Sequence, residues 1–573
     1  GIAAAGGVIK AATLTGSSAG AADLSNPGNV IATLNGFTNA AGPLTLRNSV
    51  PLTITGTVDA SGQTLTLNDT GGGIAASGAA IKAATLTGSS AGAADFSNPG
   101  NVIATLNGFT NTSGPLTLKD SAPLTITSTV DASGQTLTLN DTGGGIAASG
   151  GAIKAATLTG SSVGAADFSN PSNVIATLNG FTNTAGALTL KDSAPLTITG
   201  TVDAGGKTLT LNDTDSGIAA AGGAIRAAML TGSSIGVTDL SNPGNVIATL
   251  NGFTNTSGAL TLKDSAPLTI TGTVDATGQT LTLNDTGGGI AASGGAIKAA
   301  TLTGSSQGAA NFAGQGNAVE TLGNFSTATG SFALKNSRAL DVQGIITAGA
   351  LAASGTGSGD IALSTTAGNL TITSADGSGA KLQGKDVSLA AGGNILIGSS
   401  EFVTQFQTEK DPRQADLKID AMPGKNSANV FIIANSLTVN TSGAILQENT
   451  GLTSEPDGIR LFHFGQAPAI LIEGRPLVVN LFGTLVADGV SIASTAIATS
   501  AGVKVSPPFR NNHYRDNGCV IGQTGFCTII QFNIGNIEPL RITDPFTVRA
   551  ADEGNQNDPT ITGAGNDELW GLP

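Results

Sequence analysis

The sequence predicts an all-β fold, a parallel β-helix or β-solenoid, and three observations predict it. A 72-residue period runs through the first half of the chain, short apolar strings alternate with hydroxylated residues at a period of two, and large side chains are scarce. The 573 residues include 82 glycines, while aromatics make up only 4% and charged residues 11%. That composition suits a thin repetitive core better than the several globular units suggested by length alone. Glycine does not occupy every third position, which excludes a collagen helix. No stretch reaches the roughly 18 apolar residues of a membrane-spanning helix.

The period shows first at the glycines. Gly1, Gly73, Gly145, Gly217 and Gly289 stand in register, each followed by Ile-Ala-Ala, and four blocks run from 1 to 288 without insertion. Inside a block, NVIATLNGF, PLTLKDS, PLTITGTVDA and QTLTLNDT place Leu and Ile on one face and Thr on the other, with Asn, Gly, Asp and Ser at the turns. These strings are too short and too rich in Thr and Ile for helix. A block divides into about three coils of about 24 residues, or less comfortably four of about 18; three coils would rise roughly 14 Å and the whole chain would make a rod on the order of 100 Å.

The large residues recur once per block. Phe37, Phe109, Phe181, Phe253 and Phe325 read as a core ladder, beside a second row of Leu24, Phe96, Phe168, Leu240 and Phe312. A ligand-stacking stripe would require them to be exposed. Lys10, Lys82, Lys154, Arg226 and Lys298 form a basic row, Arg47, Lys119, Lys191, Lys263 and Lys335 a second, and Asp59, Asp131, Asp203 and Asp275 an acidic one. At the expected rise, members of one row lie beyond a Debye length and serve to solubilise the surface. The formal charge of −14 and the lack of basic clusters argue against nucleic acid as a partner.

Residues 289–400 read as a diverged continuation of the β-helix, and 401–573 as a non-repetitive, β-rich C-terminal region that caps or anchors the rod. Within it, 401–425 reads as a lateral loop and 452–510 as a thicker terminal portion. The chain opens inside a repeat without an initiating Met or a leader, which predicts a piece of a longer precursor.

Catalytic chemistry is thinly supplied. His463 and His513 are the only histidines, no nucleophile, zinc or phosphate-loop motif occurs, and Asp457, Glu473 and Asp488 are the only loose candidates for a carboxylate pair. LNDTGGG offers one carboxylate per block, too few for calcium, so the sequence points to no enzyme, no metal and no cofactor. Cys519 and Cys527, with seven residues between them including two glycines, read as a disulfide closing a hairpin-sized loop near the end of the rod. Asn68, Asn140, Asn212 and Asn284 each open an Asn-Asp-Thr triplet, a glycosylation signal that abundant turn residues also produce. Thr53 and the Thr64-x-Thr66 string raise ice binding as a minor reading, against which the hydroxyl spacing varies within each block.

The repeat texture of PLTITGTVDASG, AGNLTITS and AAGGNILI, over roughly residues 1–400, resembles that of the filamentous haemagglutinin-like large exoproteins, passengers of two-partner secretion in Gram-negative bacteria. The resemblance implies a right-handed β-helix, export through an outer-membrane β-barrel partner, and a place outside the cell or on its outer surface. It also implies a role in adhesion, aggregation or biofilm, with a surface glycan or protein as receptor. Some members hold a C-terminal cysteine pair for surface retention, which Cys519 and Cys527 match in kind. The family's N-terminal secretion domain and an Arg-Gly-Asp motif are both missing from this sequence. The expected function is a structural adhesin with a repetitive stalk and a binding or anchoring C-terminal end; the alternative is a subunit that self-assembles into an extracellular filament, sheath or biofilm matrix.

Overall fold

This computed structural model describes residues 1–352, 357–372, 381–393 and 395–397, and beyond them the strand paths of nine segments from Val430–Ile433 to Thr560–Gly563. The chain forms two compact units, Gly1–Gln279 and Thr280–Pro573. Each is a parallel β-solenoid, and no helix occurs among the described residues.

The alternation in the sequence sets each strand. In Leu116–Asp120, Leu116, Leu118 and Asp120 are buried while Thr117 and Lys119 are half-buried. Val102–Asn111 and Leu124–Asp141 follow the same rule with short irregularities at their glycines and corners. Each inward residue sits on an inward residue of the neighbouring turn, because a slip of one would turn a whole strand's apolar side to water.

Two such rows run through the first unit. In one, Leu52 lies on Ile74, and the row continues through Ala94, Leu116, Leu137, Leu158 and Leu178 to Ile198. In the other, Ala22 is followed by Leu44, Leu65, Leu86, Leu106 and Ile126. The seven steps from Leu52 to Ile198 give about 21 residues per turn. Both rows pass through the same segments in the same order: LTIT, IAA, ADF, LTL, TLTLND, TLTGSS and TLNGF.

A block thus contains seven segments wound two to a turn. Seventy-two residues make about three and a half turns, between the three and the four coils expected from the sequence, and at β-sheet spacing they rise about 17 Å rather than 14. Because seven is odd, counterparts in successive blocks change rows. Leu65 lies in the second row and Leu137 in the first, while Leu209, two blocks after Leu65, is back in the second through Leu124, Ile146, Ala166 and Leu188.

In the second unit a row runs through Ile290, Ala310, Phe332, Ile361 and Val387 to Leu437, Val479 and Ile497. The spacing between paired residues becomes irregular beyond Phe332, reaching 50 residues from Val387 to Leu437 and falling to 18 from Val479 to Ile497. Parallel pairing reaches Gln531–Asn533, and Phe546–Arg549 pairs antiparallel with Thr560–Gly563.

The phenylalanines are buried but do not stack on one another as a ladder. Phe109 lies between Gly88 and Val130 on adjacent turns, and Phe37 between Gly16 and Val58. A Cβ on Gly16 would come within 3.1 Å of the Phe37 ring, so the glycine opens the space the ring occupies. Gly88 has φ +146°, and a Cβ there would collide with the Leu67 carbonyl, which fixes glycine at this position. Three of these phenylalanines instead meet a ring of the second row edge-to-face: Phe109 with Phe96 at 5.5 Å, Phe181 with Phe168 at 5.4 Å and Phe325 with Phe312 at 5.5 Å.

Since every contact of a segment lies within its own turn and the two adjoining ones, an in-frame deletion of residues 73–144 joins equivalent positions and preserves every local pairing. The shortened protein is expected to keep the far-ultraviolet circular dichroism per residue of the parent and a cooperative melt. Loss of either would show that blocks are not interchangeable between the two rows.

Candidate functional site

The polar residues of the coil fall into a buried set at the corners and an exposed set on the strands. At one corner of every block stands a fully buried asparagine: Asn29, Asn101, Asn173, Asn245 and Asn317. Asn101 accepts the Ile81 N–H of the preceding turn through Oδ1 at 2.8 Å. Its Nδ2 donates to the Phe96 carbonyl at 2.7 Å and to the Lys119 carbonyl of the following turn at 2.9 Å. Asn173 repeats the set with Ile153, Phe168 and Lys191. One amide therefore ties three turns together, using the backbone groups that a corner removes from the strand ladder. The sequence reading missed this role because Asn in a turn carries no sign of burial.

A second buried position alternates in chemistry. Asn48 and Asn336 occupy it in the first and fifth blocks, and Asp120, Asp192 and Asp264 in the blocks between. The position on the following turn is Asp in the pairs Asn48 with Asp69, Asp120 with Asp141 and Asp192 with Asp213, and it is Thr365 beside Asn336. Burial pushes the Asp120 and Asp192 carboxyls up to about 7, with the neighbouring Asp141 and Asp213 adding to the rise.

On the surface, the basic and acidic rows expected to act separately are brought side by side. Asp59 lies opposite Lys82 on the next turn, Asp131 opposite Lys154, and Asp203 opposite Arg226. The Ser61 hydroxyl and N–H hold the Asp59 carboxyl below its ordinary range, and Lys82 contributes further; Ser133 and Lys154 do the same for Asp131. Residues 23 apart become neighbours because a corner loop, Ser61–Gln63, lengthens that turn. The other basic row lies beside the triplet asparagines, with Lys119 paired to Asn140 and Lys191 to Asn212.

The triplets themselves are folded into the coil. Asn68, Asn140, Asn212 and Asn284 are half-buried, and each accepts a serine hydroxyl through Oδ1, from Ser89, Ser161 and Ser233 at 3.0 Å and from Ser305 at 2.9 Å. Their threonines are engaged too: Thr142 donates to the Asp120 carbonyl and Thr214 to that of Asp192. The threonine rows are short. Thr64, Thr85, Thr105 and Thr125 stand in line and the row then meets Ala147; Thr13, Thr33 and Thr53 end at Ala75. A hydroxyl lattice is therefore broken within a few turns.

Cys519, Cys527, His463, His513, Asp457 and Asp488 lie outside the described residues, as does 401–425; Glu473 ends the strand Ile470–Glu473, opposite Ile433. Among the described residues no three His, Cys, Asp or Glu side chains converge as a metal-binding group, and no helix is long and apolar enough to cross a membrane. No family model, no curated protein and no solved structure matches this chain.

The corner amide bonds to three backbone groups on three turns. Asn101→Ala removes three buried bonds and leaves their backbone partners unsatisfied, so we expect a loss of about 3 kcal/mol in denaturant unfolding. A substitution of Thr117, on the half-buried face of the adjoining strand, is expected to change stability by less than about 0.5 kcal/mol.

Proposed function

We propose that the protein is an extracellular or cell-surface structural adhesin of a Gram-negative bacterium, with the repeats as a rigid stalk and the C-terminal region as its binding or anchoring end. The observation that carries this reading is that successive blocks repeat the same strand pairings. Seven segments pass through both rows in one order, so a further block lengthens the coil by about 17 Å without creating a new surface. Duplicates of that kind suit a spacer, which must change in length while its faces stay the same. The repeat texture also resembles that of haemagglutinin-like exoproteins, and on that likeness the chain is exported through an outer-membrane β-barrel partner. Its receptor would be a surface glycan or protein.

The alternative, a subunit of a filament, sheath or biofilm matrix, predicts different material. Electron microscopy of the purified full chain is expected to show separate thin particles. Cells displaying the protein are expected to lose adhesion when residues 401–573 are removed and to retain it when residues 73–144 are removed. Long uniform fibres, or adhesion that follows the number of blocks and ignores the C-terminal region, would replace the stalk reading with self-assembly.

A further inference from the structure

At the position shared by Asn48, Asp120, Asp192 and Asn336, the two aspartates have an unused hydrogen-bonding capacity that the asparagines define. Where it is asparagine, both ends of the amide are occupied. Asn48 accepts the Ile31 N–H through Oδ1 at 2.9 Å and donates through Nδ2 to the Ile31 carbonyl at 3.0 Å, to the Val50 carbonyl, and at 3.5 Å to the Asp69 carboxylate. Asn336 makes the same pair of bonds with Val319, at 2.9 and 2.8 Å, and also reaches the carbonyls of Arg338 and Ala339. At both asparagines the Nδ2 atom therefore meets acceptors.

In the middle blocks that atom is a carboxyl oxygen. Asp120 accepts the Ile103 N–H at 3.0 Å through Oδ1, and Asp192 accepts that of Ile175 at 3.0 Å, as the asparagines do. Their Oδ2 atoms are buried and have no hydrogen-bond partner. By position, the equivalents of the three acceptors around Asn48 are, for Asp120, the carbonyls of Ile103 and Ala122 and the carboxylate of Asp141. An ionised Asp120 would set negative oxygen against all three. The N–H groups of Ser121 and Ala122 do favour the ionised form, but burial together with Asp141 outweighs them. Asp141 is the better place for the charge, because it already accepts the N–H groups of Gly143 and Gly144 and, at 3.2 Å, that of Leu124.

We propose that Asp120 and Asp192 are carried as neutral carboxylic acids, each donating a proton from Oδ2 into this ring of acceptors, so that the middle blocks are closed by proton locks where the flanking blocks use asparagine. The group would act as an asparagine mimic with a removable hydrogen. The charged groups about Asp120 are Asp141 on the following turn and Lys119 on its own strand, which the alternation places on the other side; the preceding turn contributes Asn101 and Ile103, both uncharged. Around Asp192 the corresponding residues are Asp213, Lys191, Asn173 and Ile175.

The sign follows from where the proton is held. The folded coil keeps it to about pH 7, whereas an unfolded chain releases it near the ordinary value of 3.8. The locks therefore contribute fully below about pH 4, weaken as pH rises toward 7, and contribute no further change above it. On this ground the coil is more stable in an acidic setting than in a neutral or alkaline one.

The test compares the full chain with the double variant Asp120→Asn, Asp192→Asn, which restores at both sites the residue that the flanking blocks already accommodate. Melting temperature is measured between about pH 4 and pH 8.5, and the infrared band of a protonated carboxyl is recorded at about pH 6. The parent is expected to lose melting temperature between pH 4 and 7 and to show the band. The double variant should melt higher than the parent at about pH 8, with a shallower pH dependence and a weaker band. A parent with no such band, or a variant that melts lower than the parent at pH 8, would overturn the proposal. So would calcium that raises the parent's melting temperature at pH 8 and leaves the variant's unchanged, since a cation would then occupy the place of the proton.

Discussion

Everything in this protein depends on the register between successive turns. A strand in a solenoid has no hairpin partner to fix it; its N–H and C=O groups are satisfied only by the turns before and after. Each inward side chain must then fall on an inward side chain, and every residue gained or lost at a corner must be absorbed before the next strand begins. The buried asparagines meet that requirement at the corners, where the ladder lapses. Asn101 links the turn of Ile81, its own turn and that of Lys119 with one amide. The glycines meet it elsewhere, giving Phe37 its space over Gly16 and allowing the backbone at Gly88 to leave the extended region.

The fold class was legible because it rests on alternation, and alternation survives in strings as short as PLTLKDS. Turn length was not. A period of 72 suggests division by a whole number, yet the physical unit is the strand segment, and there are seven of unequal spacing. Counting LTIT, IAA, ADF, LTL, TLTLND, TLTGSS and TLNGF would have given an odd number, but IAA and ADF are only two or three residues long as strands and look like turn sequence until Ile74 and Ala94 are seen stacked. The same miscount hid the neighbours. Asp59 and Lys82 appear to belong to separate rows in separate blocks, and only a turn lengthened by Ser61–Gln63 sets them side by side.

The candidate site was less readable for a related reason. Asparagine, serine and aspartate at a turn look alike in sequence whether they face water or the core, since the same side chains serve both. The pattern that marks burial here is comparative: Asn48 and Asn336 flank three aspartates at one position, and Asp120 and Asp192 are each followed on the next turn by another aspartate. An exposed turn would accept either residue without consequence. A buried one distinguishes them, because an amide brings a donor and an ionised carboxylate does not.

This difference gives the repeats a distinction that their near-identity conceals. A solenoid made of equal blocks has no reason to open in one place before another, and its stability is set by the sum of its interfaces. Replacing an amide by an acid at one buried corner changes an interface only when its proton is lost. The cost is local, since the contacts of Asp120 lie with Ile103 and Asp141 on the adjoining turns. The central blocks can therefore respond to pH at positions where the first and fifth, with asparagine, do not. Length and sensitivity are in this way set by different residues: the seven segments fix how far the coil extends, and the Asn or Asp at one corner fixes the conditions under which that extension is most stable.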